Sequence, residues 1–271
     1  MLRNIYVYIK YITIGSDELN IIKQNLDKEV NLFIPDDIEQ IDFEDSLVIT
    51  DVPENEFKMQ AEACGKDSCE VKAAGFNTKP GEGYSYVCQT LDMGISYYRL
   101  VYARLTGEPF VVAETKNLLI REMTTKDLPE LYAVYSTLED IEQLYDYDKE
   151  LEFTKNYIKN MYGFFEYGLW LVFEKKSGEL IGRAGIENRE IDGVTCCEIG
   201  YLIRRDMQHK GYAYEACQAI LEYASDELGI QEMFAVIDKT NEPSRKLAQK
   251  LGFELYAQTD GGPDLYKFVF G

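Results

Sequence analysis

The sequence is poor in the residues that several kinds of functional site require. It has a single histidine, His209, among 271 residues, which excludes a metal site built from several histidines. None of the six cysteines is spaced as Cys-x-x-Cys, and a disulfide framework is not expected in a chain of this length. We therefore expect free thiols, a cytoplasmic location and no bound metal.

Basic residues and long apolar runs are also scarce. Lysine and arginine number 28 against 48 for aspartate and glutamate, which gives a formal charge of -20. This imbalance argues against nucleic acid or an anionic membrane as the main partner, and it favours a cationic substrate. No apolar run approaches the roughly 20 residues of a membrane span. The first apolar segment is followed by no small-residue cleavage site, so we expect no signal peptide.

The N-terminal part alternates strand-like and helix-like segments, which predicts a small open α/β domain over residues 1–116. Residues 117–271 form the second predicted domain. In the first domain, Asp51 ends an apolar strand at 46–51, and the end of a strand is where α/β sheets place ligands. The alternative is an aspartate that stabilises a turn.

The second domain has a clearer pattern of elements. Ser177 and Gly178 form a hairpin turn between two apolar runs. We predict helices over about 126–138, 149–163, 212–228 and 242–252, and strands over 169–175, 178–190, 195–205 and 232–238.

The stretch MQHKGYAYEA (207–216) lies between an apolar strand and a helix. Gly211 permits a positive φ or a close backbone approach, and Ala213 adds little bulk. The amides of about 208–213 would then point outward at a helix N-terminus, an arrangement that binds phosphate. Four basic side chains flank this loop and predict a local positive patch: Arg204, Arg205, His209 and Lys210. Charges farther away than a Debye length of roughly 8 Å are screened, so an anion can bind despite the net charge.

A second motif, NEPSRKLAQKLGF (241–253), follows about thirty residues later. Asn241 can cap the short helix, and Ser244 lies one turn into it. With the EIGYLI strand (198–203) and the loop that follows, this motif stands in the order and spacing of a known family. Residues 118–271 resemble a GNAT acetyltransferase domain, and most closely the subgroup that acetylates ribosomal-protein N-termini.

The resemblance implies an α/β (α+β) fold, with a mixed, mostly antiparallel sheet splayed into a V and acetyl-CoA in the cleft. The N-terminal region resembles a HAD-like or receiver-like unit only weakly. The resemblance implies that the backbone of Tyr201, Leu202 and Ile203 contacts the pantetheine arm of the cofactor. It implies that the pyrophosphate is bound by the amides of Gln208, His209, Lys210, Gly211, Tyr212 and Ala213. It also places Asn241 and Ser244 beside the pantetheine.

Acetyl transfer needs a neutral amine, and a lysine-like amine with a pKa near 10.4 is only about one part in 10³ neutral at pH 7. That deficit is roughly 4–5 kcal/mol, so a general base is useful. Glu198 is our candidate, and its alternative role is an ion pair with Arg183 or Arg189. By strand alternation Glu198 and Gly200 share one face, while Tyr201 lies on the other.

The departing thiolate needs a proton donor. Many members of the family carry a tyrosine seven residues after the asparagine, and this chain has Ala248 there. Ser244 is our candidate for stabilising the thiolate, and water is the alternative.

We therefore predict an acetyl-CoA-dependent N-acetyltransferase that acts on a primary amine by direct attack in a ternary complex. The acceptor is a small molecule or a peptide: peptide N-termini, aminoglycosides, polyamines and small metabolites all stay open, as does a homodimer. The alternative is a non-catalytic acyl-CoA-binding sensor whose first domain is the output.

Overall fold

The structure is a computed structural model that describes residues 1–26, 29–67, 70–78, 83–138, 147–191, 193–259 and 261–271. The chain divides into two compact units, Met1–Phe110 and Val111–Gly271. Among the described helices, none is long and apolar enough to cross a membrane. The cysteines in the described ranges are free thiols, and Cys69 lies outside those ranges.

The first unit is a five-stranded parallel sheet with helices in its connections. Its elements are β1 (Asn4–Tyr8), α1 (Ser16–Asn25), β2 (Asn31–Phe33), β3 (Ser46–Thr50), α2 (Glu54–Ala63), β4 (Ala73–Phe76), β5 (Val87–Cys88) and α3 (Ile95–Thr106). The strand order β2-β1-β3-β4-β5 is one of the two common orders of doubly wound sheets. The central strands are apolar on both faces because each face packs on its own hydrophobic cluster. The predicted small α/β region is thus confirmed.

Asp51 lies directly after β3 and is buried. Its carboxylate accepts three backbone N–H hydrogen bonds, from Lys10 at 2.7 Å, Tyr11 at 2.6 Å and Ile12 at 2.7 Å. These donors belong to the segment that leaves β1. Asp51 therefore stabilises a turn, which was the alternative to a ligand site.

The second unit carries the remaining elements. They are β6 (Val111–Glu114), β7 (Leu118–Arg121), α4 (Leu128–Tyr135), α5 (Tyr147–Tyr157), β8 (Leu169–Glu174), β9 (Leu180–Ile191), β10 (Val194–Ile203), α6 (Tyr212–Asp226), β11 (Glu232–Ile237), α7 (Glu242–Leu251), β12 (Glu254–Ala257) and β13 (Asp264–Val269). The predicted hairpin turn between β8 and β9 is confirmed, with Gly178 at a φ of +73°.

Eight strands form one sheet in the order β12-β13-β11-β10-β9-β8-β7-β6. Within the described strands, β10 and β11 are the one parallel pair, and the other neighbours are antiparallel. The predicted mixed, mostly antiparallel sheet is therefore confirmed. Strand β6, which the sequence assigned to the first domain, pairs with β7 in this sheet.

The helix predicted over 149–163 is not one regular helix. α5 ends at Tyr157, and a π-helical segment, Ile158–Phe165, continues it. Tyr157 at the end of α5 and Tyr162 in the π-helical segment are five residues apart, which is the spacing of a π-helical hydrogen bond. Both hydroxyls reach the backbone of Leu169 at the start of β8: Tyr157 accepts from its N–H at 2.6 Å and Tyr162 donates to its carbonyl at 2.5 Å.

Candidate active site

β10 and β11 meet once and then separate. Over their described lengths the register contains one pair, Glu198 with Phe234, although β10 continues to Ile203 and β11 to Ile237. The gap opens into a cavity of about 200 Å³. Its walls are residues 198–201 of β10, residues 235–238 of β11 and following, and one face of α7. The splayed sheet predicted from the sequence is thus present.

The edge of β10 that faces this gap is available to a ligand. Its other edge pairs with β9, where Tyr201, Leu202 and Ile203 lie opposite residues 182–184. Since no ladder pair with β11 follows Glu198 in the described strands, peptide groups on that side of β10 lack a strand partner. Such groups are the usual template for an extended chain.

β10 leads into the loop before α6, where two residues adopt left-handed conformations. His209 has a φ of +61° and Gly211 a φ of +89°. The first hydrogen bond of α6 runs from the Glu215 N–H to the Gly211 carbonyl, so the amides of Gly211 to Tyr214 have no acceptor within the helix. A Cβ built on Gly211 meets no atom within 4 Å. The N-terminus of α6 therefore has backbone donors without a helical acceptor, and the space beside Gly211 is open.

The positive patch predicted around this loop is smaller than expected, which corrects the sequence interpretation. The Arg204 guanidinium is paired with Asp206 at 2.7 Å and with Glu179 at 2.9 Å. The Lys210 ammonium lies 3.1 Å from the Met207 sulfur. Two carboxylates offset Arg204, so this residue adds less positive charge to the loop than expected.

The N-terminus of α7 lies beside the cavity. Asn241 Oδ1 accepts a hydrogen bond from the Ser244 N–H at 3.1 Å, so the predicted helix cap is confirmed. Asn241, Ser244 and Ala248 all line the cavity. Of the predicted residues, Glu198, Tyr201, Asn241 and Ser244 meet there, whereas Leu202, Ile203 and the loop 208–213 lie outside its walls.

Tyr201 is another residue of the cavity wall, and its hydroxyl lies near Ser244 of α7. Its Oη is buried and has no hydrogen-bond partner of good geometry among the described residues. Burial raises the pKa of this phenol to about 12, although the nearby Ser244 hydroxyl acts in the opposite direction. Ser244 is thus close enough to influence Tyr201 but is not aligned as its partner.

Two glutamates face each other across β9 and β10. Glu187 and Glu198 are register partners, so their side chains lie on the same face of the sheet. Glu198 is bound by Arg189, with Nε–Oε2 at 2.6 Å and Nη2–Oε1 at 3.4 Å. This is the ion pair that the sequence offered as the alternative role for Glu198.

Glu187 has no ion pair or hydrogen bond within the described part of the chain. Burial raises the pKa of its carboxyl, Arg183 and Arg189 oppose that rise, and the charge of Glu198 adds to it. The Glu187 Oε2 atom lies 3.4 Å from the position that a Cβ on Gly200 would occupy. Gly200 is a wall of the cavity, so this unpaired carboxylate lies beside the cleft.

Arg183 lies on the same face of the sheet as Glu187 and Glu198. It is directed into the unit: its Nη1 donates to the Tyr135 hydroxyl at 3.1 Å, and its guanidinium lies 4.9 Å from the centre of the Tyr157 ring. Its contacts with α4 and α5 identify this face as the one opposite α6 and α7. Glu187 and Glu198 therefore lie on one face of the sheet, and Tyr201 lies on the other by alternation.

Comparisons with known proteins agree with this geometry. The family model for the acetyltransferase (GNAT) domain matches residues 117–254. The protein YkkB of Bacillus subtilis (strain 168) is 32% identical over 148 residues, which cover 54% of this chain and 86% of YkkB. The chain therefore belongs to the GNAT acetyltransferase family, and acetyl-CoA is the family's acetyl donor.

Solved structures show the same fold. A protein of Bordetella pertussis assigned to the GNAT family superposes with a TM-score of 0.51 at 23% identity, over 57% of this chain and 97% of that one. RimL, a ribosomal L7/L12 α-N-protein acetyltransferase, gives a TM-score of 0.50 at 15% identity, over 60% of this chain and 96% of RimL.

Two features of the site were missed by sequence reasoning. The sequence did not single out Glu187 as a base, and Tyr201 was considered only through its backbone. Strand alternation from Glu198 could have placed the Tyr201 ring toward the helices. Nothing in the linear sequence shows that its hydroxyl has no partner, since this depends on the packing of α7 against β10.

Proposed function

We propose that this protein transfers an acetyl group from acetyl-CoA to a primary amine by direct attack in a ternary complex. The observation that carries the proposal is the gap between β10 and β11, with its unpaired strand edge and its cavity of about 200 Å³. A pantetheine arm is a chain of two amides, which a free strand edge can hydrogen-bond as it would another strand.

The loop 208–213 suits the pyrophosphate of the same ligand. The first amides of α6 have no acceptor within the helix, the space beside Gly211 is open, and the helix adds a partial positive charge. Asn241 and Ser244 line the opposite wall, where they can contact the pantetheine. Acetyl-CoA supplies the thioester, and this chain supplies the groups that hold and align it.

The proposed base is Glu187, one of the two glutamates that face each other across β9 and β10. Glu198, the candidate from the sequence, is held by Arg189, whose guanidinium contacts both of its carboxylate oxygens. Glu187 has a raised pKa and no cation within ion-pair distance in the described chain. We therefore assign proton removal from the amine to Glu187 and give Glu198 the role of fixing Arg189 and the local charge.

The acceptor is proposed to be cationic in solution. The net charge of -20 attracts an ammonium group, and two glutamates mark the face from which it would arrive. RimL acts on a ribosomal protein, so a peptide α-amino group is one acceptor to test. Polyamines, aminoglycosides and small metabolites are others. A cytoplasmic location and a homodimer remain predictions, the latter to be tested by sedimentation.

The proposal is tested by screening a panel of amines with acetyl-CoA, with thiol release and acetylated product both measured. We expect equal amounts of thiol and acetylated amine for at least one acceptor. Glu187→Gln should lower kcat by about 10²-fold while the Kd for CoA stays within twofold. If CoA binds but no amine in the panel is acetylated, the protein is instead an acyl-CoA-binding sensor.

A further inference from the structure

The Tyr201 hydroxyl is an exception among the buried polar groups of the second unit. Buried hydroxyls nearly always have a hydrogen-bond partner, and one without a partner requires an explanation. Tyr201 Oη is fully buried and unpartnered among the described residues, yet its residue forms a wall of the cavity between β10 and β11. A ligand in that cavity is the natural partner for it.

The surroundings of this hydroxyl differ from those of the two glutamates. Alternation along β10 places Tyr201 with Ile199 on the face covered by α6 and α7, opposite Glu198. Its neighbours include Ser244 on α7 and the buried Cys217 thiol on α6. The two faces of β10 thus offer two kinds of group, proton acceptors on one side and a proton donor on the other.

The side chain at position 248 of α7 supplies no proton donor to the cavity. Ala248 follows Ser244 by one helical turn and lines the same cavity. Its methyl group cannot donate a proton, so Tyr201 and Ser244 are the hydroxyls in the described cavity wall. Tyr201 comes from the strand, whereas Ser244 comes from the helix.

We infer that Tyr201 Oη donates a hydrogen bond, and then its proton, to the sulfur of the departing CoA thiolate. This inference rests on the proposed acetyl transfer. The amine nitrogen forms a bond to the acetyl carbonyl carbon, and the carbon–sulfur bond breaks with its electron pair on sulfur. The amine proton goes to the Glu187 carboxylate and from there to solvent. The thiolate takes the Tyr201 proton, and the phenolate regains one from solvent.

The protonation state of Tyr201 suits this step. Burial holds the pKa of the phenol at about 12, so Tyr201 is protonated at every pH at which the enzyme would work. The proton is therefore present at the start of each turnover.

The test compares Tyr201→Phe with Tyr256→Phe, which removes a hydroxyl from the exposed Tyr256 of β12. With acetyl-CoA, Tyr201→Phe should lower kcat by about 10²-fold, with the Kd for CoA changed less than threefold. The selenolate of acetyl-seleno-CoA leaves without needing a proton. With this donor, the kcat of Tyr201→Phe should therefore be less than threefold below that of the wild type. Tyr256→Phe should match the wild type with both donors. A defect of equal size with both donors, or no defect with either, overturns the inference.

A second measurement needs no acceptor amine, so it separates this inference from the proposed function. The pKa of the bound CoA thiol is followed by thiolate absorbance during a pH titration of the complex. If Tyr201 donates to the sulfur, that thiol has a lower pKa in the wild-type complex than in Tyr201→Phe. Equal pKa values in the two complexes overturn the assignment, whether or not any amine is acetylated.

Discussion

Replacing Gly211 by alanine separates backbone strain from ligand binding at the loop before α6. Gly211 has a φ of +89°, and a Cβ added there meets no atom within 4 Å. The cost to folding is therefore strain alone, about 1–2 kcal/mol for an L-residue in the left-handed region. That corresponds to a fall in melting temperature of about 2–8 °C for a unit of this size.

Gly178 offers a matched control. It lies in the turn between β8 and β9, with a φ of +73° and no atom within 4 Å of an added Cβ. Gly178→Ala should therefore cause a similar loss of stability. It differs from Gly211 in lying outside the proposed cofactor loop.

The two variants should differ in CoA binding. A methyl group on Gly211 projects into the space proposed for the pyrophosphate and would weaken at least one hydrogen bond to a charged oxygen. Such a bond is worth roughly 1.5–3 kcal/mol, or about 10- to 150-fold in Kd. Calorimetric titration with CoA should show that loss for Gly211→Ala and none for Gly178→Ala. Equal CoA affinities in the two variants would refute the assignment of this loop.

Three further predictions concern stability and pH. Asp127→Asn should destabilise the protein by about 2–3 kcal/mol at pH 7, because Asp127 accepts two hydrogen bonds from Arg121 at 2.9 and 2.7 Å. Burial raises the pKa of Asp127, but the contacts with Arg121 and Thr124 outweigh it and lower that pKa. In urea titrations, the difference in free energy of unfolding between the wild type and Asp127→Asn should therefore vanish as the pH falls through the lowered pKa. Gly185→Ala should cost about 3 kcal/mol or more in the same assay, since its Cβ would lie 1.9 Å from a backbone carbonyl oxygen; a stable variant would contradict this packing. In pH–rate profiles with one acceptor, activity should fall as Glu187 is protonated, and Glu198→Gln should move that limb to lower pH because it removes a charge that raises the Glu187 pKa; an unmoved limb would argue against Glu187 as the base.

Local signals in the sequence were sufficient for much of the fold. The hairpin at Gly178 and the cap at Asn241 depend on residues within a few positions of each other, and both are present. The alternation of strands and helices in the first unit likewise follows from local periodicity. The splay of β10 from β11 came from the family resemblance rather than from any local pattern.

Side-chain partnerships were harder to predict because they join distant segments. Arg204 was expected to contribute to a positive patch, but Glu179, which lies 25 residues earlier, pairs with it. Two roles were open for Glu198 in the sequence, and the side-chain contact across β9 and β10 identifies Arg189 as its partner. The lack of a hydrogen-bond partner at the Tyr201 hydroxyl depends on how β10, α6 and α7 pack together, and linear spacing in the sequence does not encode that packing.

The most direct test of the central claim is a crystal structure of the protein with CoA. The account predicts the pyrophosphate on the amides of residues 208–213, the pantetheine along the free edge of β10, and the sulfur within hydrogen-bond distance of Tyr201 Oη. CoA bound away from the gap between β10 and β11, or a gap closed by continuous pairing of the two strands, would contradict it.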